Sequence, residues 1–267
     1  STDPFYGGKL DVYVNPTQHL EFTLFDTRQT TRTDSYTFTP NSSFTGGTPG
    51  KYTGSQNYKQ GGLNWVGRYT GSITDFFQIS GAYGISRDSS NTLPLDTGSY
   101  YVIDRRTATT GGLPQVISAQ PYSGNSINNT QRKFYRIDGD LRFEALGRHH
   151  IRFGLDNEDV NETKVTTLNG GLPITYDYRN TGARLTYERL GGFVSGQDRA
   201  YYVQDSWEPA RGLTINLGVR DDEFQQYNLS GQRYLSLKDN IAARAGFSWT
   251  PGGDSRFRFN GSYGRYF

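Results

Sequence analysis

Hydrophobic and polar residues alternate along much of this chain with a period of two. The clearest case runs from Lys133 to Glu158. There Tyr135, Ile137, Leu141, Phe143 and Ala145 share one parity, and Arg136, Asp138, Asp140, Arg142 and Glu144 share the other. After a corner at Gly147-Arg148-His149, a return run sets Ile151, Phe153 and Leu155 against His150, Arg152, Asp156 and Glu158. A two-residue period belongs to strands, whose successive side chains point to opposite faces. One face of this hairpin is apolar and the other is charged. Nothing else in the chain offers a cover for the apolar face, so the expected cover is lipid.

Four further hairpins show the same pattern. Lys9–Asn15 turns at Pro16-Thr17-Gln18 into His19–Arg28, and Leu63–Ser72 turns around Ile73-Thr74-Asp75 into Phe76–Ser86. Arg199–Glu208 turns at Pro209–Gly212 into Leu213–Phe224, and Ile241–Thr250 turns at Pro251–Asp254 into Arg256–Phe267. Pro, Gly, Asn and Asp at such corners supply the fixed or positive φ angles of tight turns. The connections between hairpins are long and polar, over 30–62, 87–130, 159–198 and 225–240. Short turns at one end and long loops at the other are the asymmetry of outer-membrane barrels, periplasmic and extracellular respectively. Aromatic rings gather beside the short corners, at Trp207, Trp249, Phe76 and Phe77, where a bilayer places its headgroups. The runs Tyr100–Arg106 and Ile174–Arg179 read as rims of hairpins that extend beyond the membrane. The expected fold is therefore all-β: a transmembrane antiparallel barrel, with all 267 residues in one domain and about ten strands countable.

Composition agrees with this reading. The chain is 33% hydrophobic and 15% aromatic, with 20 Tyr, 16 Phe and 33 Gly. That mixture lacks the Leu and Ala of a helical core and is too aromatic for disorder. No run of about 18 apolar residues forms a membrane-spanning helix, but a barrel strand needs only about 9–11 residues. A net charge of +2 indicates no nucleic-acid partner, and zero Cys excludes disulfides and thiolate metal sites. There is no signal peptide and no Met, so the chain is expected to be processed or part of something longer.

With lipid on the apolar side, Arg68, Arg136, Asp138, Asp140, Arg142, Glu144, Arg152, Asp156, Arg220, Arg244, Arg256 and Arg258 point into the barrel. One such cation facing the lipid midplane costs about 2–4 kcal/mol, whereas a wet or protein-filled lumen accepts it. The alternation of sign predicts cross-strand ion pairs and a structural wall. Asp205 breaks the pattern, since it shares the parity of Tyr201, Val203 and Trp207. It is expected at the membrane interface or at a bulge.

Several segments resemble the barrel of TonB-dependent outer-membrane transporters, in particular the Oar-like branch. They are Gly8–Tyr13 with His19–Asp26, Tyr201–Trp207 followed by Gly212–Arg220, and Ala243–Trp249 leading to Gly261–Phe267. The resemblance implies a 22-stranded barrel filled by an N-terminal plug, and import driven by the TonB complex through a plug-borne box. Neither plug nor box is present in this sequence, so the chain is expected to form about half of a barrel wall. Phe267 invites comparison with the terminal aromatic of outer-membrane barrels, but Arg265 falls where that face should be apolar.

Other motifs add little chemistry. His149 and His150 are adjacent at a corner, where neighbouring strand residues point to opposite faces, so they cannot readily share a metal; with His19 they read as solvated turn residues. The acidic run Asp156–Glu162 could offer oxygen ligands to Ca²⁺ but lacks the spacing and glycine of a calcium loop. No catalytic set, metal site or cofactor motif is found, and no enzyme is expected. In the loops, Tyr100, Tyr101, Arg105, Arg106 and Tyr122 combine rings and guanidinium groups suited to a polar substrate; loop packing or lipopolysaccharide contact is the plainer alternative. Three functions stay open: an importer of a metal chelate, oligosaccharide or peptide; a complete small barrel acting as adhesin or passive pore; and a surface protease. The expected location is the outer membrane of a Gram-negative cell, with its lipid and lipopolysaccharide as neighbours.

Overall fold

The structure is a computed structural model that describes residues 3–41, 45–107, 114–170, 174–179, 182–187, 189–253 and 256–265. The predicted central hairpin forms β9 (Gly124–Glu144) and β10 (Arg148–Leu168). Its register sets Leu155 opposite Ile137, Ile151 opposite Leu141 and His149 opposite Phe143. The corner differs from expectation: it occupies Ala145, Leu146 and Gly147, and Arg148 already belongs to β10. The Ala145 N–H donates to the Gly147 carbonyl at 2.9 Å, and Leu146 and Gly147 take φ of 53° and 119°. Reversal in so few residues needs positive φ, which puts the turn on the glycine and its predecessor.

The other hairpins are β1 (Tyr6–Asn15) with β2 (Gln18–Asp26), β5 (Leu63–Ser72) with β6 (Phe77–Pro94), β13 (Arg189–Ala210) with β14 (Leu213–Tyr227), and β15 (Arg233–Trp249) with β16 (Phe259–Gly264). The last strand was expected from Arg256. Instead a 3₁₀ turn at Pro251–Gly253 follows β15, and Arg256, Phe257 and Arg258 precede β16. Asp254 and Phe267 lie outside the described residues. All ten strands join one meander in the order β1-β2-β5-β6-β9-β10-β13-β14-β15-β16. Its outer strands β1 and β16 pair on one side only, so the sheet is open among the described residues.

Among the described residues no second layer covers the apolar face. Phe22, Phe143, Leu217 and Phe259 are 41%, 39%, 50% and 51% exposed, and the only buried hydrophobic residues described are Ala200 and Ala242. A soluble sheet exposing such a face would aggregate; a bilayer removes it from water instead. The apolar residues form a slanted band. The level through Leu24, Trp65 and Ile85 reaches Lys133 on β9, already beyond the apolar set. The level through Phe143, His149, Trp207, Ile215 and Phe247 lies on the turn side. A flat slab of hydrocarbon cuts tilted strands at successively shifted residues, so the slant is the tilt of a barrel wall. Aromatic residues edge the band on both sides: Trp65, Tyr83, Tyr135 and Tyr201 towards the loops, Phe143, Trp207, Trp249 and Phe259 towards the turns.

Beyond the band the strands continue. β9, β10 and β13 run for 21, 21 and 22 residues, about twice a membrane crossing. Much of the sequence expected as loop in 87–130 and 159–198 is therefore strand. The connection at 30–62 is itself a hairpin, β3 (Gln29–Pro40) with β4 (Gly47–Gln60), whose Gln56–Gln60 pairs with the far end of β6. A separate sheet orders β12 (Gly182–Tyr187), β11 (Ile174–Arg179), β7 (Tyr101–Asp104) and β8 (Gln115–Val116). Here β7 and β11 run parallel, which joins two different connections. The two runs expected as rims of their own hairpins thus form a shared sheet.

Candidate functional site

Two regions bear on function: the charged face of the meander and the polar layer built by the long connections. On the charged face the alternation of sign resolves into contacts. Arg136 donates from Nε to the Asp138 carboxylate at 2.8 Å and from Nη2 to the Tyr202 hydroxyl at 3.2 Å. The Tyr202 hydroxyl in turn donates to Asp138, which is 5% exposed. Across the sheet Arg152 lies 3.7 Å from Asp138 and 4.0 Å from Asp140, and His150 is 2.9 Å from Asp140. Three neighbouring strands, β9, β10 and β13, are tied together in this way. Arg220 pairs with Asp222 at 2.9 Å, and Lys9 reaches Glu21 at 2.8 Å on β2. Each half-exposed pair is worth only about 0–1 kcal/mol. Their common effect is to leave few bare charges along this face.

The remaining expected members take simpler places. Asp156 stands opposite Arg136 in the register, Arg68 opposite Glu21, and Arg244 opposite Gly218. Arg142 and Glu144 are exposed towards the turn end, and Arg258 donates to the Ser248 hydroxyl at 3.0 Å. Small residues on β14 and β15, Gly218, Ala242 and Gly246, leave a shallow trough between Arg152, Arg220 and Arg244.

The histidines correct the sequence reading. None is a free turn residue, because each faces a carboxylate: His19 with Asp11 at 3.0 Å, His149 with Asp205 at 2.7 Å, His150 with Asp140 at 2.9 Å. His149 and His150 do point to opposite faces. His149 lies on the apolar side, stacked between Phe143 and Trp207 with ring centroids 5.0 and 5.5 Å away. Its other nitrogen meets the Ala145 carbonyl at 3.0 Å. Asp205 is thereby explained: it sits at the turn-side border in unbroken register with Ile151 and Leu217, with no bulge there.

In the loop layer the expected binding residues are mostly engaged with the protein itself. Asp104 is 2% exposed, and Arg106 grips it with Nε at 3.0 Å and Nη2 at 2.8 Å. The guanidinium of Arg106 holds that carboxyl below the usual carboxylate range, aided by the Arg106 backbone N–H at 2.9 Å. Tyr122 reaches back to β3, its hydroxyl 2.8 Å from Ser35 Oγ and donating to the Thr33 carbonyl at 3.2 Å. Tyr100 packs on Gly170, where a Cβ would lie 2.3 Å from the ring. Tyr101 is half-buried in β7, and burial raises its phenol above the ordinary value. Arg105 follows β7 and is exposed.

Sequence reasoning missed the residues that organise this layer. Gln120, 3% exposed, donates to and accepts from the Tyr122 backbone at 2.6 Å. Asn169, 1% exposed, donates to the Asp96 and Tyr122 carbonyls at 3.2 and 2.9 Å. The Asn169-Gly170 dipeptide was a visible turn signal, but nothing in it announced burial between two connections.

Comparisons with known proteins agree with this geometry. No family model matches the chain. It is 27% identical over 143 residues to the TonB-dependent transporter Oar of Myxococcus xanthus, a match covering 46% of this chain and 14% of Oar. Its fold follows the outer membrane transporter YddB of Escherichia coli with a TM-score of 0.64 at 14% identity, over 97% of this chain and 31% of that one. The ferric-catecholate import receptor Fiu of E. coli K12, in an open form, aligns with a TM-score of 0.49 at 12% identity, over 97% and 52% of the two chains. The chain thus spans 14% of Oar, 31% of YddB and 52% of Fiu. It is an integral outer-membrane β-barrel wall, and it resembles the barrel wall of TonB-dependent transporters.

Proposed function

We propose that this chain is part of the wall of an active importer, built into a 22-stranded barrel that encloses a plug domain and is driven by the TonB complex. The carrying observation is the meander, open among the described residues: ten strands with an exposed apolar face, a paired charged face, and outer strands that each pair on one side. Within hydrocarbon each unpaired backbone group costs several kcal/mol, so β1 and β16 need neighbouring strands. All 267 residues then belong to one barrel domain. Arg136, Asp138, Asp140, Arg152 and Arg220 border its interior, where their internal pairing suits a wall against which a plug rests rather than an anion-selective pore.

The cargo we infer is a scarce, polar nutrient of the kind such importers carry: a metal chelate, an oligosaccharide or a peptide. Tyr100, Tyr101 and Arg105 would meet it at the loop rim, with Arg106 and Tyr122 holding that rim in shape. Accumulation of cargo by cells carrying the protein tests the reading. Uptake should stop when the proton-motive force is collapsed, and vesicles containing the protein should not swell in small sugars. Uptake that ignores energisation, with rapid swelling, would make the protein a passive pore. Peptide cleavage at the cell surface would favour the protease reading instead.

A further inference from the structure

Above the β14–β15 turn the wall is paired on one side only. Ser195 is the last residue of β13 with a partner on β14, Tyr227. Beyond it, 189–194 pair with β10 alone, from Val194 opposite Glu162 to Arg189 opposite Thr167. The turn does not continue the ladder, because its polar groups close on one another. The Asn228 N–H donates to the Gln232 carbonyl and the Gly231 N–H to the Asn228 carbonyl, both at 2.9 Å. The Asn228 side chain accepts from the Ser230 and Gln232 N–H groups at 3.0 and 2.9 Å. Leu229 leans across over Gly192, where it leaves no room for a Cβ. Among the described residues, one edge of β13 is therefore open here. It lies past Tyr201, which borders the apolar band, and so stands in water on the long-loop side.

Edges in water are ordinarily guarded by charge, proline or a bulge. Leu190-Gly-Gly-Phe-Val194 carries neither charge nor proline, and its register with β10 is unbroken. Leu190 and Val194 are 60% and 40% exposed and share the interior-facing parity of Tyr202, with Gly192 between them. Phe193, 50% exposed, has the outward parity. Along such an edge alternate residues direct their N–H and C=O groups away from the sheet, at the spacing of a strand.

We propose that this edge of β13 captures an extended peptide as an added strand, with apolar side chains at alternate positions beside Leu190 and Val194. The proposal rests on the importer reading above and narrows its cargo to a peptide. Main-chain pairing gives such a complex its affinity, and the alternate side chains give it preference. Oligosaccharides and chelates lack the regular donor and acceptor spacing that matches a strand edge. A second copy does not fit. Copies in one membrane point the same way, so their β13 strands would run parallel, and the lower part of each already carries β14 on that edge.

Hydrogen exchange of the full protein in lipid nanodiscs tests the edge, read at the alternate amides of 189–194 that do not bond to β10. The probes are a peptide of about ten residues alternating valine and serine, the same peptide N-methylated throughout, and a linear maltooligosaccharide. Excess unmethylated peptide should slow exchange there roughly tenfold. The methylated peptide should bind about a hundredfold more weakly, having lost several hydrogen bonds, and the sugar should leave exchange unchanged. L190N/V194N should weaken peptide binding roughly fivefold by removing two cross-strand apolar pairs. Should that variant not assemble, the methylated probe on the unaltered protein decides. No protection by the unmethylated peptide, or equal protection by the methylated one or the sugar, overturns the proposal. Slow exchange at these amides before any probe is added overturns it too, since another part of the same polypeptide then fills the edge. Energised uptake without a protected edge sinks the edge alone, whereas a protected edge with uptake indifferent to energisation sinks the importer reading and leaves the edge.

Discussion

Asp205 and His149 show how a single residue can defy a pattern without breaking the strand. The carboxylate sits on the apolar side, yet an imidazole 2.7 Å away and rings of Phe143 and Trp207 around that imidazole supply its partner. Both His149 nitrogens lie within hydrogen-bond distance of oxygens, Asp205 and the Ala145 carbonyl. Removing one member leaves the other stranded at the membrane border, whereas replacing both by apolar groups need cost little. Asp205→Leu should therefore lower stability by about 1–3 kcal/mol, and His149→Phe combined with Asp205→Leu should recover most of it. Denaturant unfolding of the protein in lipid vesicles measures both. If the double variant is as weak as the single one, the pair has no coupling of its own.

At the scale of the strand, parity decides everything. Adjacent residues meet different solvents, and a shift of one residue exchanges lipid for the interior. Val203 and Gln204 make the contrast on β13, since Val203 is 49% exposed on the apolar side and Gln204 stands on the charged side. Val203→Arg should cost about 2–4 kcal/mol in a bilayer, while Gln204→Arg should change stability by less than about 1 kcal/mol. Unfolding in vesicles reads the difference, and equal costs would place the same medium on both faces. Close packing reinforces register: the Phe153 ring lies over Gly139, its direct partner, where a Cβ would come within 2.6 Å of the ring. Phe247 covers Gly261 in the same way. A large ring lying over a glycine in this fashion fills the gap left by the missing side chain, and it pins the pairing.

For the whole molecule, the loop layer is where strands from distant connections meet. The β7–β11 pairing joins 101–104 to 175–178, and the buried Asp104–Arg106 clasp lies at the end of β7. Arg106 depresses the Asp104 carboxyl below its ordinary 3.8, so the unfolded layer binds a proton at a higher pH than the folded one. The clasp therefore contributes fully above 3.8 and is lost as pH falls through the depressed value. Hydrogen-exchange protection of Tyr101–Asp104 should be flat from neutrality down to about pH 4 and fall below it. A decline already at pH 6 would point to a different group.

Strand identity, facing and the short turns were legible in sequence because each depends on local chemistry. Alternation over eight or more residues admits one periodicity, and Pro16, Gly147, Gly212 and Gly252 mark reversals by their backbone limits alone. The charged partners of the histidines were not legible, since Asp11, Asp140 and Asp205 become neighbours only once register is set across strands. The same holds for Gln120 and Asn169, polar residues whose burial needs connections far apart in the chain to converge. Local alternation determined which faces meet lipid; only the assembled sheet decided which side chains meet each other, because that depends on pairing between segments whose sequences carry no mutual label.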